Sequence, residues 1–224
     1  NCIYLDADIF FFNDPNKVIN KDKSFNVLIT SHNYSKKYDQ TKTSGKYCVQ
    51  YLVFKNNKES LKVLKWWRSK CIQWCYNRIE GNKFGDQKYL DSWPRKFKNV
   101  VVSDNLGAGV APWNVQRFIV KNKNFPLISE KNNRYDLIFF HFHDLKFFFK
   151  NKIIFIGTYD FNANAKKFIY DKYIKKIISI EKKYSSILPN SVFNDAKNTR
   201  NKLFVLIRLM LKMIKNYKNI VIIK

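Results

Sequence analysis

The apolar positions fall into short runs separated by polar, Lys-rich stretches. Ile3-Tyr4-Leu5 leads into Asp6-Ala7-Asp8 and then Ile9-Phe10-Phe11-Phe12, which predicts a buried strand over residues 2–12 that runs into a loop. Asp14-Pro15 ends it as a turn. Further apolar runs at Phe25 to Thr30 and Tyr47 to Phe54 predict strands two and three, with Ser31 to Gly45 as a surface loop. Leu61, Leu64, Trp67, Cys71, Trp74 and Cys75 recur at helical steps, so Asn57 to Ile79 reads as a helix with Gly81 as its stop. A short helix is expected from Asp86 to Trp93, closed by Pro94. Val100 to Ser103, Val115 to Val120 and Leu137 to Phe142 complete the expected strands. The alternation of strand and helix argues for an α/β fold with a mixed sheet. The pattern changes near residue 160: two helices are expected at 165–187 and 196–219, broken around Pro189-Asn190. The expected division is a domain over 1–160 and a basic helical extension over 161–224.

Composition sharpens this picture in three ways. Among 224 residues, 46% hydrophobic and 17% aromatic content supports a packed core and excludes global disorder. No uninterrupted run of 18 apolar residues occurs, so no membrane-spanning helix is expected. The net charge of +25 points to an anionic partner. Lys supplies 35 of the 42 basic residues, however, and abundant Asn, Ile, Tyr and Phe fit an AT-rich coding bias that accounts for part of the surplus. Residues 164–224 carry 15 basic and 3 acidic side chains, so +12 of the charge lies there. The four cysteines carry no zinc spacing, and Cys71 and Cys75 sit four apart on one helix, where a disulfide fits poorly. With no export signal at Asn1, reduced thiols and a cytoplasmic location are expected.

Four constellations can carry chemistry. Asp6 and Asp8, two apart at a strand end, can share a hard divalent cation, and a cation there can neutralise a diphosphate. The bland alternative is a solvated turn; the flanking apolar runs argue against it. In Phe140-His141-Phe142-His143-Asp144, both imidazoles lie on one strand face and either is a potential ligand. Asp86 and Gln87 open a helix, where Asp serves as a cap, or line a pocket rim where they meet sugar hydroxyls. Gly107 to Asn114 holds two of the six glycines, so its backbone can approach a ligand, with Asn114 as an amide reader beside Trp113. No phosphate-binding P-loop and no dinucleotide-binding glycine motif is present.

In this order the segments resemble the GT-A-type, metal-dependent nucleotide-sugar glycosyltransferases, above all bacterial polysaccharide and lipopolysaccharide enzymes of the family 8 kind. The resemblance is carried by Tyr4-Leu5-Asp6-Ala7-Asp8, Gly45 to Gln50, Phe54-Lys55-Asn56 and Trp67 to Cys75. It continues through Gly85 to Leu90, Ala111-Pro112-Trp113-Asn114 and Tyr135 to His143, about residues 1–145 in all. It implies that Asp6 and Asp8 bind Mn²⁺ or Mg²⁺ and the donor diphosphate. His141 completes the metal shell, with His143 as the alternative. It places Asp86 and Gln87 at the transferred sugar as catalytic residues, and Trp113 and Asn114 among the donor-binding residues. The fold it implies is a partial GT-A, Rossmann-like mixed sheet. Three departures stand out: Cys48 where an Asn is usual, Asp144 where a Gly follows the metal His, and no counterpart of the strands that precede the D-x-D. The expectation is a fragment with one sheet edge open.

The implied activity is transfer of a sugar, from a UDP-sugar, to a polysaccharide or lipid-linked acceptor. The alternative is a nucleic-acid-binding protein or metal-dependent nuclease, suggested by charge and paired Asp. That alternative expects Arg and aromatics interleaved on one surface, whereas Arg is scarce and the aromatics keep core spacing, so no nucleic-acid partner is expected. Residues 196–219 are expected to form an amphipathic helix on the anionic inner face of a membrane, with Arg208, Lys212 and Lys215 as its basic stripe.

Overall fold

The computed structural model describes residues 1–19, 24–122, 126–148, 153–184, 187 and 210–222. The chain is mixed α/β and forms two compact units, 1–141 and 142–224. The change in sequence character near residue 160 therefore does not mark the division between them.

In the first unit, β1 (Cys2–Leu5), β3 (Val27–Ser31), β4 (Tyr47–Phe54) and β5 (Val100–Val102) make a sheet in the order β1-β4-β3-β5. Its β1–β4 and β3–β4 pairs are antiparallel and its β3–β5 pair is parallel. A second sheet, β2-β10-β6, joins β2 (Ile9–Phe11), β10 (Phe139–His141) and β6 (Ala108–Val110), with β10 antiparallel to β2 and parallel to β6. The single expected strand over 2–12 is thus two strands in two sheets. The turn at Ala7-Asp8 parts them, which lets the acidic pair sit between sheets.

β4 is buried along all eight residues, as its apolar run requires. Val27, Ile29, Tyr47, Val49, Leu52 and Phe54 pack with Val63, Trp67, Leu90 and Trp93 on one side. Leu28, Tyr51 and Val53 pack with Val18, Ala108, Ile138 and Phe139 on the other. The alternation along β4 changes phase between Val49 and Leu52. The pairing with β3 shifts at the same place, from Leu28↔Val53 to Thr30↔Cys48. Cys48 and Gln50 point away from the face that buries Tyr47 and Val49 by simple alternation, and the irregularity puts Tyr51 on their side as well.

A single helical turn, α1 (Thr41–Ser44), precedes β4, and α2 (Lys58–Gln73) follows it, with the Asn57 side chain accepting the Ser60 N–H as an N-cap. α2 ends six residues before the expected Ile79. Trp74 turns extended, buries its ring and donates its N–H to the Lys70 carbonyl, while the Tyr89 hydroxyl donates to the Trp74 carbonyl at 2.8 Å. The expected helix at 86–93 is a 3₁₀ segment, Lys88–Ser92, continued by α3 (Trp93–Lys96). Val115–Arg117 is 3₁₀ and not strand. β7 (Ile119–Asn122), β8 (Pro126–Glu130) and β9 (Asn133–Asp136) form an antiparallel meander.

In the second unit, β11 (Lys146–Phe148), β12 (Ile153–Phe155) and β13 (Ile220–Ile222) form an antiparallel sheet. A turn α4 (Ala163–Ala165), a π-helical segment (Lys166–Tyr170) and α5 (Asp171–Tyr184) run on as one helical stretch, close to the helix expected at 165–187. Of the expected helix 196–219, residues 196–209, Arg208 among them, lie outside the described residues. Residues 210–215 are helical, and Ile220–Ile222 is a strand on β12, so the basic end of the chain is part of this unit's sheet and not a purely helical extension. Among the described residues no helix is long and apolar enough to cross a membrane.

Candidate metal centre

Asp6 follows β1, and its backbone N–H donates to the Gln50 carbonyl, which continues the β1–β4 ladder by one bond. Asp8 sits in the turn before β2, and His141 is the last residue of β10, paired with Ile9. This pairing brings distant sequence together. His141 Nε2 lies 3.0 Å from Asp8 Oδ1 and 3.9 Å from Asp6 Oδ2. The expected acidic pair and the expected imidazole therefore converge. β1 is an outer strand of its described sheet rather than a central one.

A buried relay orients the imidazole. Gln50 is fully buried; its Nε2 donates to Thr30 Oγ1 at 3.2 Å, and its Oε1 is 3.0 Å from His141 Nδ1. An amide oxygen only accepts, so Nδ1 carries a proton and Nε2 is the ring nitrogen turned towards the two carboxylates. An imidazole nitrogen facing carboxylate oxygens is an arrangement that a proton or a shared cation completes. The donor set of one imidazole and two carboxylates fits Mn²⁺ or Mg²⁺.

The local field agrees. Burial pushes the Asp6 carboxyl up; His141 and the Tyr4 hydroxyl, which donates to Asp6 Oδ1 at 3.1 Å, pull it back, and Asp8 and Asp86 push it up again. Burial raises Asp86 as well, against the Gln87 backbone N–H that its carboxylate accepts. Tyr4 is pushed up to about 12 by burial and then by the charge of Asp6. Asp86 thus acts electrostatically on the same cluster as the acidic pair; it is not the cap of the following segment, whose cap position is Gln87 with no side-chain capping bond. Gln87 heads the Lys88–Ser92 segment and is partly exposed.

Two expected donor-binding residues have different work. Asn114 is 1% exposed; its Oδ1 accepts the Ala111 N–H, and its Nδ2 donates to the His32 and Gly109 carbonyls. An amide committed to backbone on both ends holds the loop and is not presented to a sugar. Trp113 is buried too, with Nε1 donating to the His32 carbonyl and its ring edge-on to His141 at 5.2 Å. It walls the imidazole. His143 belongs to the second unit, where it is exposed beside Tyr159.

Sequence reasoning assigned no role to Gln50 or His32. His32 is 2% exposed, stacked on Tyr34 at 4.6 Å and edge-on to Trp113 at 5.4 Å. Its signal was available: it is one of only three histidines and directly follows a strand that is largely buried. Cys48, a departure from the family pattern, falls within the cluster: one ligand atom each from Asp6, Cys48 and His141 lie within 4.8 Å of one another.

Two Bacillus subtilis (strain 168) proteins are similar to this chain. The uncharacterized protein YfnD is 30% identical over 145 residues, which cover 62% of this chain and 45% of YfnD. The uncharacterized protein YfnF is 27% identical over 157 residues, covering 67% of this chain and 51% of YfnF. The chain spans about half the length of these curated relatives. No family model and no solved structure matches it.

Proposed function

We propose that this chain is the metal-binding part of a GT-A-type glycosyltransferase that moves a sugar from a UDP-sugar to a polysaccharide or lipid-linked acceptor. The observation that carries this reading is the Asp6–Asp8–His141 convergence, with Gln50 orienting the imidazole through Nδ1. Asp6, Asp8 and His141 would hold the Mn²⁺ or Mg²⁺. When bound there, the ion would supply Lewis acidity to a departing diphosphate. Tyr4 orients the Asp6 carboxylate by its hydrogen bond. Asp86 and Gln87 meet hydroxyls of the transferred sugar, and the charge of Asp86 favours the developing positive charge at the sugar carbon.

The test is release of UDP from a panel of UDP-sugars by the whole polypeptide with and without Mn²⁺. Turnover is expected to need the metal and to fall at least about 100-fold in Asp8→Asn and His141→Gln, since removing even outer-shell partners of a metal costs up to about 100-fold. Metal-independent turnover, or wild-type rates in both variants, would refute the reading.

A lipid-linked acceptor suits a membrane-surface location on the cytoplasmic side. Within the described helical residues 210–215, Met210, Leu211 and Ile214 are exposed apolar side chains, and Lys212 and Lys215 are exposed beside them. Each Lys near an anionic surface contributes about 1 kcal/mol, so Lys212→Gln/Lys215→Gln should weaken co-sedimentation with phosphatidylserine vesicles by about 30-fold. Salt should weaken the wild type in the same direction. Equal sedimentation of both proteins would end this part of the proposal.

A further inference from the structure

We infer that Asp6, Cys48 and His141 form a second, overlapping site for a thiophilic divalent cation of the zinc class, and that its occupant excludes the hard ion from Asp6 and His141. The donor chemistry argues for it. A carboxylate oxygen, a thiol sulfur and an imidazole nitrogen, all within 4.8 Å of one another, are the three ligand types that tetrahedral zinc takes. Zn–ligand bonds of about 2.0–2.3 Å set ligands roughly 3.5 Å apart, and the 3.9 Å between His141 Nε2 and Asp6 Oδ2 is near that spacing already.

Cys48 is directed there by the fold. Alternation along β4 puts it on the same side as Gln50, whose backbone N–H bonds its sulfur. Gln50 Oε1 meanwhile holds Nδ1 of His141, which turns Nε2 towards Asp6 and Asp8 as the ring atom on the ligand side. Cys48 and His141 are both buried, which makes two of the three ligands pre-positioned, while the Asp6 side opens towards solvent for a water or substrate oxygen as the fourth ligand.

Hard and soft ions then part by ligand choice. Mn²⁺ and Mg²⁺ prefer the oxygens of Asp6 and Asp8 and have no use for the thiol; zinc and cadmium gain most from it. Both sets need Asp6 and His141, so the two occupancies are exclusive. This inference concerns metal selection and stands whether or not the site transfers sugar, because none of its readouts is turnover.

The experiment uses the Cys2→Ser/Cys71→Ser/Cys75→Ser protein, in which Cys48 is the sole thiol, and Cd²⁺ as the probe. Cd²⁺ is expected to raise one thiolate-to-metal charge-transfer band that saturates at one ion per chain, and excess Mn²⁺ to bleach it. Adding Cys48→Ser should abolish the band and weaken Cd²⁺ by at least about 100-fold, while Mn²⁺ affinity stays within about twofold. Cys48→Ala gives the same comparison if the Ser variant melts early, and thermal melts of all proteins confirm folding. No band in the folded sole-thiol protein, a band that coexists with bound Mn²⁺, or equal loss of Cd²⁺ and Mn²⁺ affinity overturns the inference.

Discussion

Gly109→Ala is expected to destabilise the first unit by about 2–5 kcal/mol and to weaken divalent-metal binding by about 10–100-fold. Gly109 lies in β6 with φ at +100°, a backbone region that L side chains rarely adopt. Holding Ala there costs about 1–2 kcal/mol. Its added Cβ would also stand 2.5 Å from Gln50 Nε2, closer than contact allows. The amide must retreat, and it is fully buried, so its bonds to Thr30 and His141 have no water to replace them. Leaving such groups unpaired costs about 1–3 kcal/mol. His141 then loses the acceptor that orients it through Nδ1, which is the source of the metal effect. Urea melts and Mn²⁺ titration measure the two parts. Gln50→Ala separates them: it should reproduce the metal defect with no backbone strain. A Gly109→Ala protein with wild-type stability and wild-type metal affinity would show that the relay has no such role.

That relay marks the limit of what the sequence reveals. Asp6, Asp8 and His141 were legible because charged or titratable groups interrupt apolar runs, and such interruptions are costly unless they serve something. Gln50 interrupts its run in the same way, yet a buried amide has many innocent partners and no spacing rule names one. Its partner here is 91 residues away. Asn114 is ambiguous in the sequence for the opposite reason. A polar residue among apolar ones suggests a ligand, but the backbone of its own loop and of His32 takes all it offers. The long apolar strands β3 and β4 were plain in the sequence, whereas β6, the β8–β9 hairpin and β13 were not. Ala108–Val110 is three small residues in a glycine-rich stretch, Asn133–Asp136 is wholly polar or aromatic, and Ile220–Ile222 follows a helical pattern without a break signal. Their strand character comes from pairing with β10, β8 and β12, which is tertiary information.

Acidification from pH 6.5 to pH 4 is expected to remove about 3 kcal/mol of stability through His32 alone. Burial holds its imidazole down to about 4, against an ordinary value of 6.5; the backbone oxygens of Gly45 and Lys46 only partly oppose this, and the nearby His141 adds to it. The folded protein therefore keeps His32 neutral where the unfolded chain already binds a proton. Above pH 6.5 neither state takes the proton and the contribution is complete. Between 6.5 and 4 the unfolded state gains it first, at about 1.4 kcal/mol per pH unit, and below 4 the loss levels off. Asp6 and Asp86 work the other way, because burial raises them and the folded state then binds protons more readily as pH falls. A melt of the wild type alone mixes these opposing slopes. His32→Phe resolves them, since Phe retains a flat ring against Tyr34 and the edge of Trp113 but cannot titrate. The difference in unfolding free energy between the two proteins, followed from pH 7.5 to 4, should change by about 3 kcal/mol in favour of the variant. Parallel pH profiles would mean that His32 is protonated inside the fold or as readily as in the unfolded chain, and would remove the neutral, buried imidazole from the wall behind Trp113 and His141.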